Sequence, residues 1–593
     1  MKPQRVVNLI GIVATILLVI ALVVMAVTVL DTWWALAALA VVALLAQMVV
    51  SVLRKRVKGG TVLELDLDGG VMEKAGSDPI SRALNRKAVM VRDVVDALDR
   101  AGEDRRIVGL VARVGNGGID VAHAQELRDA VHRFRGSGKK TVAFAEAFGE
   151  GGRAIVDYYL ATAFEEIHLQ PMGLASVEGM VARGTFLRGV FDNLGVIPDF
   201  DHRREYKAAK YMFTETGFTE PHREALGSVA EDRFGQLIDG IAADRGLDPD
   251  TVRSLVDRAP ISADTALDQG LVDILGYRDQ AYRAAGDDGK SFLFHDRYLK
   301  KAGRPHRKGK RIALIYGAGS INRGSSRFDP LGRGPSMGAD EVAKAFRAAC
   351  DEDKVKAIVF RVDSPGGSAV ASEVVSREVQ RAREEAGKPV VVSMGNVAGS
   401  GGYWVAMGAD RIVAQPGTIT GSIGVVWGKL ANRAAWARLG ITFDEILFGR
   451  NATFASAQDV YTDSERERRT ELIEDVYTAF KDGVAAGREM SPERVELIAK
   501  GRIWSGARAR ELGLVDELGG LDAAVRIAKE LAEIAEDQSV QLVVYPKERA
   551  LPLPRTEDSS QPIHAVATVL ADLIQSGRDE TAIQARMPPV LFL

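Results

Sequence analysis

VDYYLATAFEEIHLQPMG at 156–173 and GGYWVAMGADRIVAQPGT at 401–418 carry one pattern, with Gln170-Pro171 over Gln415-Pro416 at an offset of 245. At that offset Gly195 meets Gly440, in LGVIPDF and LGITFDE. Upstream, DVVDALDRAGEDRRIVGLV (93–111) matches EVAKAFRAACDEDKVKAIVF (341–360). Downstream, ALDQGLVDILGYRDQA (266–281) matches ARELGLVDELGGLDAA (509–524). The offset drifts by only a few residues, so the chain is a tandem duplication with small insertions. In each copy an amphipathic helix (93–101 or 341–349) leads to a short apolar strand (107–111 or 357–362). A second helix and a second strand (141–145 or 389–393) follow, then a Gly-rich turn. Short apolar strands separated by helices predict an α/β fold, each copy a parallel sheet covered on both faces.

The remaining arithmetic is mostly exclusion. The chain has 593 residues, with 77 Lys+Arg against 80 Asp+Glu, a net charge of −3. That balance removes the electrostatic case for nucleic-acid binding. Cys350 is the only cysteine, so no intramolecular disulfide and no thiolate metal cluster can form. No histidine lies between Arg311 and Ile563, which excludes a zinc site or a His-based triad confined to the second copy. No metal and no cofactor is expected.

The apolar residues are concentrated at the start. Residues 8–30 and 33–53 carry no charge apart from the Asp31 break between them, and each is long enough to cross about 30 Å of hydrocarbon. Trp33 and Trp34 at the break suit a membrane–water interface. A cleaved signal peptide fits less well, because its apolar stretch is shorter and ends in a small-residue cleavage site. The first 58 residues therefore read as a transmembrane helical hairpin in a multi-pass protein of the cell membrane. Lys2 and Arg5 precede the first span, and Arg54, Lys55, Arg56 and Lys58 follow the second. The positive-inside rule puts both ends and the whole body after them in the cytoplasm. If only one segment spans, the body is extracytoplasmic, and nothing later in the chain decides between the two. The full division is 1–58 hairpin, 59–290 first repeat, 291–311 a basic linker whose charge run KKAGRPHRKGK (300–310) reads as solvated, 312–550 second repeat and 551–593 a tail.

Chemistry is distributed unequally between the copies. NVAGSGGYW (396–404) follows the apolar run VVVSM and sets Ser400 among Ala398, Gly399, Gly401 and Gly402. Such small residues permit a sharp strand-to-helix turn that exposes a hydroxyl and admits a substrate backbone. RVDSPGGS (361–368) ends another strand, and Gly366-Gly367 offer backbone N–H groups for an oxyanion hole. Taken singly, each has a plainer reading, as a helix cap and as a type II turn. The offset places Ser400 on Ile155, so the first copy has no nucleophile there.

SPGG at a strand end, then SGGYW, TGSIGV and GLVDELGG, resemble the signal peptide peptidase A family of serine proteases (family S49), in its long duplicated form. The resemblance spans about residues 60–550 and is strongest at 361–428 and 501–524. It implies tandem ClpP/crotonase-like domains and a Ser-Lys dyad whose lysine comes from the first half, in a Tyr-Lys-Ser/Ala motif. EYKAAKYMF (205–213) supplies that motif and assigns Lys207 as general base to the nucleophile Ser400. Lys210, one turn on, is the competing candidate. The resemblance also implies an oxyanion hole from Gly401 N–H with Gly366 or Gly367 N–H, and a groove for extended peptide along Gly366-Gly367. The implied partners are cleaved signal peptides or similar apolar peptides, the lipid bilayer, and further copies of the chain in a homotetramer. The offset puts Ala452 opposite Lys207, so each copy holds one member of the dyad and lacks the other. Two rival functions are a catalytically silent membrane scaffold that binds peptides and a crotonase-like acyl-CoA enzyme. The second would use a carboxylate base and has no need of a split Ser-Lys pair.

Overall fold

The computed structural model describes residues 57–547 apart from 75–87, 117, 151, 153, 287–290, 327 and 330–333, together with the strands Gln584–Arg586 and Leu591–Phe592. The expected hairpin at 8–30 and 33–53 lies outside the described residues. Among the described residues no helix is long and apolar enough to cross a membrane.

The duplication is visible in strand order. In the first half the strands run Ile274–Leu275, Glu166–Leu169, Lys140–Ala145, Ile107–Arg113, Thr61–Asp66, Phe292–Phe294, all parallel. In the second half Glu517–Leu518, Arg411–Ala414, Val390–Gly399, Val355–Ser364, Lys310–Ala318 and Val540–Tyr545 repeat that order, again parallel. The central strands are buried along nearly their whole length, as helices on both faces require. Their helices show why. In Val91–Glu103 the residues Val91, Val94, Val95, Leu98 and Ala101 recur at helical spacing and are buried against the first sheet, with Asp93 in the first turn and Arg100 in the last.

Residues 291–311 differ from a solvated linker. Phe292–Phe294 joins the first sheet as its edge strand, and the helix His295–Ala302 buries Tyr298 and Leu299. Arg304 then reaches Asp93 and Asp96. The basic run hides a short apolar start that completes the sheet before the charges begin.

A third sheet joins the halves. Its strand order is Phe328–Asp329, Gly334–Gly338, Ser320–Asn322, Gly366–Ser368, Gln584–Arg586, Val425–Ala431, Ile197–Arg203. The last strand belongs to the first repeat, and it pairs antiparallel with Val425–Ala431 from Ile197↔Ala431 to Arg203↔Val425. The helix Val121–Arg135 forms a second joint. From it Glu126 receives Arg361, while Gln125 accepts from Gly417 N–H at 2.7 Å and Glu126 from Leu521 N–H at 2.8 Å.

Candidate active site

Ser400 stands where the strand Val390–Gly399 turns into the four-residue helix Gly401–Trp404. Its φ is +56° and ψ −119°, a conformation that costs a non-glycine residue about 1–3 kcal/mol. The surroundings enforce it. Ser400 N–H donates to Gly421 O at 2.8 Å, and Ser400 O accepts from Tyr403 and Trp404 N–H, each at 2.9 Å. Both aromatic side chains are anchored, Tyr403 Oη on Leu514 O and Trp404 Nε1 on Glu373, each at 2.9 Å. A Cβ on Gly401 would meet Ser372 Oγ at 2.6 Å and Gly367 N at 3.2 Å, and one on Gly402 would meet Ser364 O at 2.5 Å. The small residues read from the sequence are therefore required by close approach of the SPGG segment.

Lys207 arrives from the other repeat. It follows the strand Ile197–Arg203, whose pairing to Val425–Ala431 carries the loop across the junction. Asp199 receives Arg466 and Arg469, and Arg203 and Arg204 hold Glu474, so this loop is tied to the helix Asp463–Gly487 of the second half. Tyr206 N–H donates to Lys500 O at 3.1 Å. Gly501 lies so close that a Cβ there would sit 2.5 Å from Lys207 N, at a φ of +83°.

The side chain of Lys207 is fully buried and ends 2.7 Å from Ser400 Oγ. Its Nζ also donates to Ser422 O at 2.9 Å and to Ser422 Oγ at 3.0 Å. Burial alone drives its pKa well below the ordinary lysine value, and no carboxylate offsets it. Two N–H bonds spent on Ser422 leave the lone pair of a neutral amine facing the serine hydroxyl. That is the arrangement a base needs to activate a hydroxyl nucleophile. Lys210 stands apart, half-buried with its Nζ 5.6 Å from the Tyr211 ring centre.

Ser422 is the residue that sequence reading missed as a site residue. It sits in TGSIGV at a φ of +53°, between Gly421 and Ile423, a position more familiar for glycine. A serine held there among small residues was the available signal. Of the two glycines offered for the oxyanion, Gly366 directs its N–H to Ser364 Oγ at 3.1 Å. Gly367 N lies close to Gly401, 3.2 Å from where a Cβ there would sit. Beside Ser400 and Lys207 a small pocket is lined by Ala208, Ala225, Leu226, Ile503, Tyr206 and Ser422, mostly apolar and drawn from both halves. Among the described residues no group of acidic, cysteine or histidine side chains could hold a metal ion.

Behind the site a buried charge cluster ties the halves. Arg361 meets Glu73 and Glu126 and donates to Ser393 Oγ at 2.8 Å, and His123 Nε2 lies 2.9 Å from Glu73. Burial would neutralise Arg361, but Glu126 and Glu73 outweigh it and hold its pKa well above the usual value.

The family model described as Peptidase family S49 matches residues 133–290 and 382–535, one stretch in each repeat. Serine protease SPPA, chloroplastic, of Arabidopsis thaliana is 28% identical over 551 residues, covering 91% of this chain and 79% of that protein. Protease 4 of Salmonella typhi is 31% identical over 502 residues, covering 80% and 79%. Protease 4 of Haemophilus influenzae is 30% identical over 475 residues, covering 76% and 74%.

Proposed function

This chain belongs to peptidase family S49 and is a serine peptidase, and on that premise we propose that it cleaves peptides with a Ser400–Lys207 dyad split between its two repeats. The observation that carries the proposal is the 2.7 Å contact of Lys207 Nζ with Ser400 Oγ inside a fully buried site. Ser400 Oγ attacks the scissile carbonyl as its proton passes to Lys207 Nζ. The N–H groups of Gly401 and Gly367 hold the resulting oxyanion. Collapse expels the amine, which takes the proton from Lys207 and leaves an acyl group on Ser400. Water then attacks the ester, giving its proton to Lys207, and the acid departs as Ser400 regains its hydrogen.

The substrates are apolar peptides, cleaved signal peptides above all. The apolar pocket beside the dyad supports that class, as does the strand Gly366–Ser368, which already accepts an extended partner in Gln584–Arg586. Each repeat is a ClpP/crotonase-like module, the hairpin at 8–30 and 33–53 anchors the enzyme, and four copies assemble. The charge flanks favour a cytoplasmic body. Burial raises the Cys350 thiol pKa, so Arg510→Cys in a Cys350→Ser background is the better surface reporter of sidedness. Labelling of that cysteine by an impermeant reagent in intact cells would overturn the cytoplasmic placement.

The dyad is tested by mass spectrometry after incubation with an activated apolar peptide ester. A stable adduct on Ser400 that requires Lys207 is the expected result. An adduct formed equally fast in Lys207→Ala would remove the lysine from the mechanism.

A further inference from the structure

The strand that carries Ser400 is interrupted just before it. Val390–Gly399 runs beside Val355–Ser364 in regular register as far as Met394↔Val362, and pairing resumes only at Ala398↔Ser364. The residues Gly395, Asn396 and Val397 therefore face the single residue Asp363, and the ladder cannot hold them on that side. Side chains hold them instead. Asp363 Oδ1 accepts from Val397 N–H at 2.9 Å, and Thr418 Oγ1 donates to Gly395 O at 2.8 Å. A Cβ on Gly395 would lie 2.9 Å from Glu73 Oε1. Asn396 reaches the first repeat, where it meets His123 and Asp120.

Two partners fix which way the Asn396 amide points. Its Oδ1 accepts from His123 N–H at 3.0 Å, and its Nδ2 lies 3.3 Å from Asp120 Oδ2. Exchanging the two ends would set oxygen against the carboxylate and NH2 against the backbone N–H. In this orientation Nδ2 also lies 2.7 Å from His123 Nδ1 and 3.2 Å from Nε2. The amide nitrogen has only hydrogens to offer, so the buried ring must offer a lone pair. A neutral ring has one, on Nδ1, while its Nε2–H donates to Glu73 Oε1 at 2.9 Å. A protonated ring has none, and either of its N–H groups would press on the amide hydrogens. The hold on the Ser400 strand therefore exists in one protonation state of His123.

The charges around the ring favour the other state. Burial opposes a charged imidazole, but Glu73 beside it outweighs burial and raises the His123 pKa above the ordinary histidine value. Burial also opposes the charge of Glu73, yet Arg361 and His123 hold its carboxyl well below the usual range. Asp363 faces the ring from the strand Val355–Ser364, its own carboxyl pushed up to about 6, chiefly by burial. Arg361 on the same strand disfavours the charged ring and is itself bound to Glu126. Asp120 heads the helix of His123 and faces Arg233 of the helix Glu220–Arg245. Asn396 requires a neutral ring and Glu73 favours a charged one, which brings the change of state within reach of physiological pH.

We propose that His123 is a positioning residue for hydrolysis: its neutral ring, through Asn396, holds the interrupted strand that sets Ser400, and its protonation releases that hold and slows the nucleophile. The proposal rests on Ser400 being the nucleophile and adds to Lys207 a second proton that the active enzyme must shed. That proton belongs to the first repeat and acts on a strand of the second.

The test compares the parent, His123→Gln and His123→Leu as full chains in detergent micelles, with an apolar peptide ester, from about pH 5.5 to about pH 9. Glutamine is neutral throughout and can accept from Asn396 while donating to Glu73, whereas leucine can do neither. His123→Leu is expected to lower kcat by up to about 100-fold, the cost of a misplacement of about 1 Å, with KM little changed. His123→Gln is expected to recover most of that rate at high pH. On the acid side kcat/KM of the parent should fall by more than about one decade per pH unit, and that of His123→Gln by about one. The steeper fall should survive Asp363→Asn, which removes the neighbouring carboxyl. Hydrogen exchange of the peptide Met394–Tyr403, corrected for intrinsic rates, should quicken as pH falls in the parent and stay level in His123→Gln. Equal slopes in parent and His123→Gln, a steep limb lost in Asp363→Asn alone, or pH-independent exchange in the parent would overturn the proposal. A folded His123→Leu chain with parental kcat would do so too, and if that chain melts early the His123→Gln comparison decides. Exchange follows the strand whether or not Lys207 is the base, so failure of the Ser400–Lys207 reading and failure of this one are told apart.

Discussion

Lys207 and Ser400 are 193 positions apart in the chain and their side-chain ends are 2.7 Å apart in space. Neither repeat brings the pair together alone, since among the described residues the strand that delivers the lysine pairs only with the other half. The site is a property of the junction.

Removing either member should abolish hydrolysis without unfolding the chain. Ser400→Ala and Lys207→Ala are each expected to lower kcat/KM by at least about 10³, and the double variant should fall no further. Lys207→Arg should be as inactive, because a guanidinium stays protonated. Turnover of an apolar peptide ester, with circular dichroism as the control for folding, checks all three.

The pH dependence follows from the burial of Lys207. Its folded pKa is depressed, so kcat/KM should rise with pH on a limb centred well below the ordinary lysine value of about 10.4. A limb near that value would mean an exposed base. The linkage has a definite sign. Between the folded and unfolded pKa the unfolded chain holds a proton that the folded chain lacks, so stability increases with pH there and decreases as pH falls. At pH 7 the buried amine is therefore a cost. Lys207→Met should be inactive yet melt higher, by about 2–4 °C for each 1 kcal/mol recovered.

Ser422→Ala removes one of the two acceptors that orient the amine. The expected loss is about 10–100-fold in kcat/KM, the scale on which partners that orient metal ligands act. Because a hydroxyl acceptor favours the protonated amine, the apparent pKa of the rising limb should move down. An unchanged limb with unchanged rate would show that Ser422 O suffices.

Arg361→Met leaves Glu73 and Glu126 buried without their cation. Such half-pairs cost about 3–5 kcal/mol, so denaturant unfolding should show a large loss of midpoint. Glu73 and Glu126 belong to the first repeat and Arg361 to the second, so the variant should also loosen the joint, read as faster proteolysis of loops at the junction.

Much of this was legible because the duplication supplies its own comparison. Offset matching placed both copies; the pairing of Lys207 with Ser400 was what the family resemblance implied, and the offset added that each copy keeps only one of the two residues. Strand periodicity located the cores but set boundaries short, as with Val355–Ser364, expected only at 357–362. That strand runs on because Val355 pairs with Arg311 at one end and Ser364 with Ala398 at the other, partners that its own residues do not reveal. Ser422 stayed hidden because its role depends on backbone direction at a positive φ, which composition does not encode. The linker reading failed at Phe292–Phe294, whose pairing with Thr61–Asp66 is set by contacts some 230 residues away in sequence, as Thr61 with Ser291 shows.

The split dyad also bears on how the enzyme comes into being. A ribosome finishes Lys207 long before Ser400, and Gly501, against which the lysine's backbone rests, is made later still. Until that glycine has emerged and the second half has closed on the first, a growing chain holds a base with no nucleophile and then a nucleophile with no seated base. If the proposed dyad carries the reaction, the order of translation is itself a safety catch, keeping the protease inert until the last pieces of the junction exist.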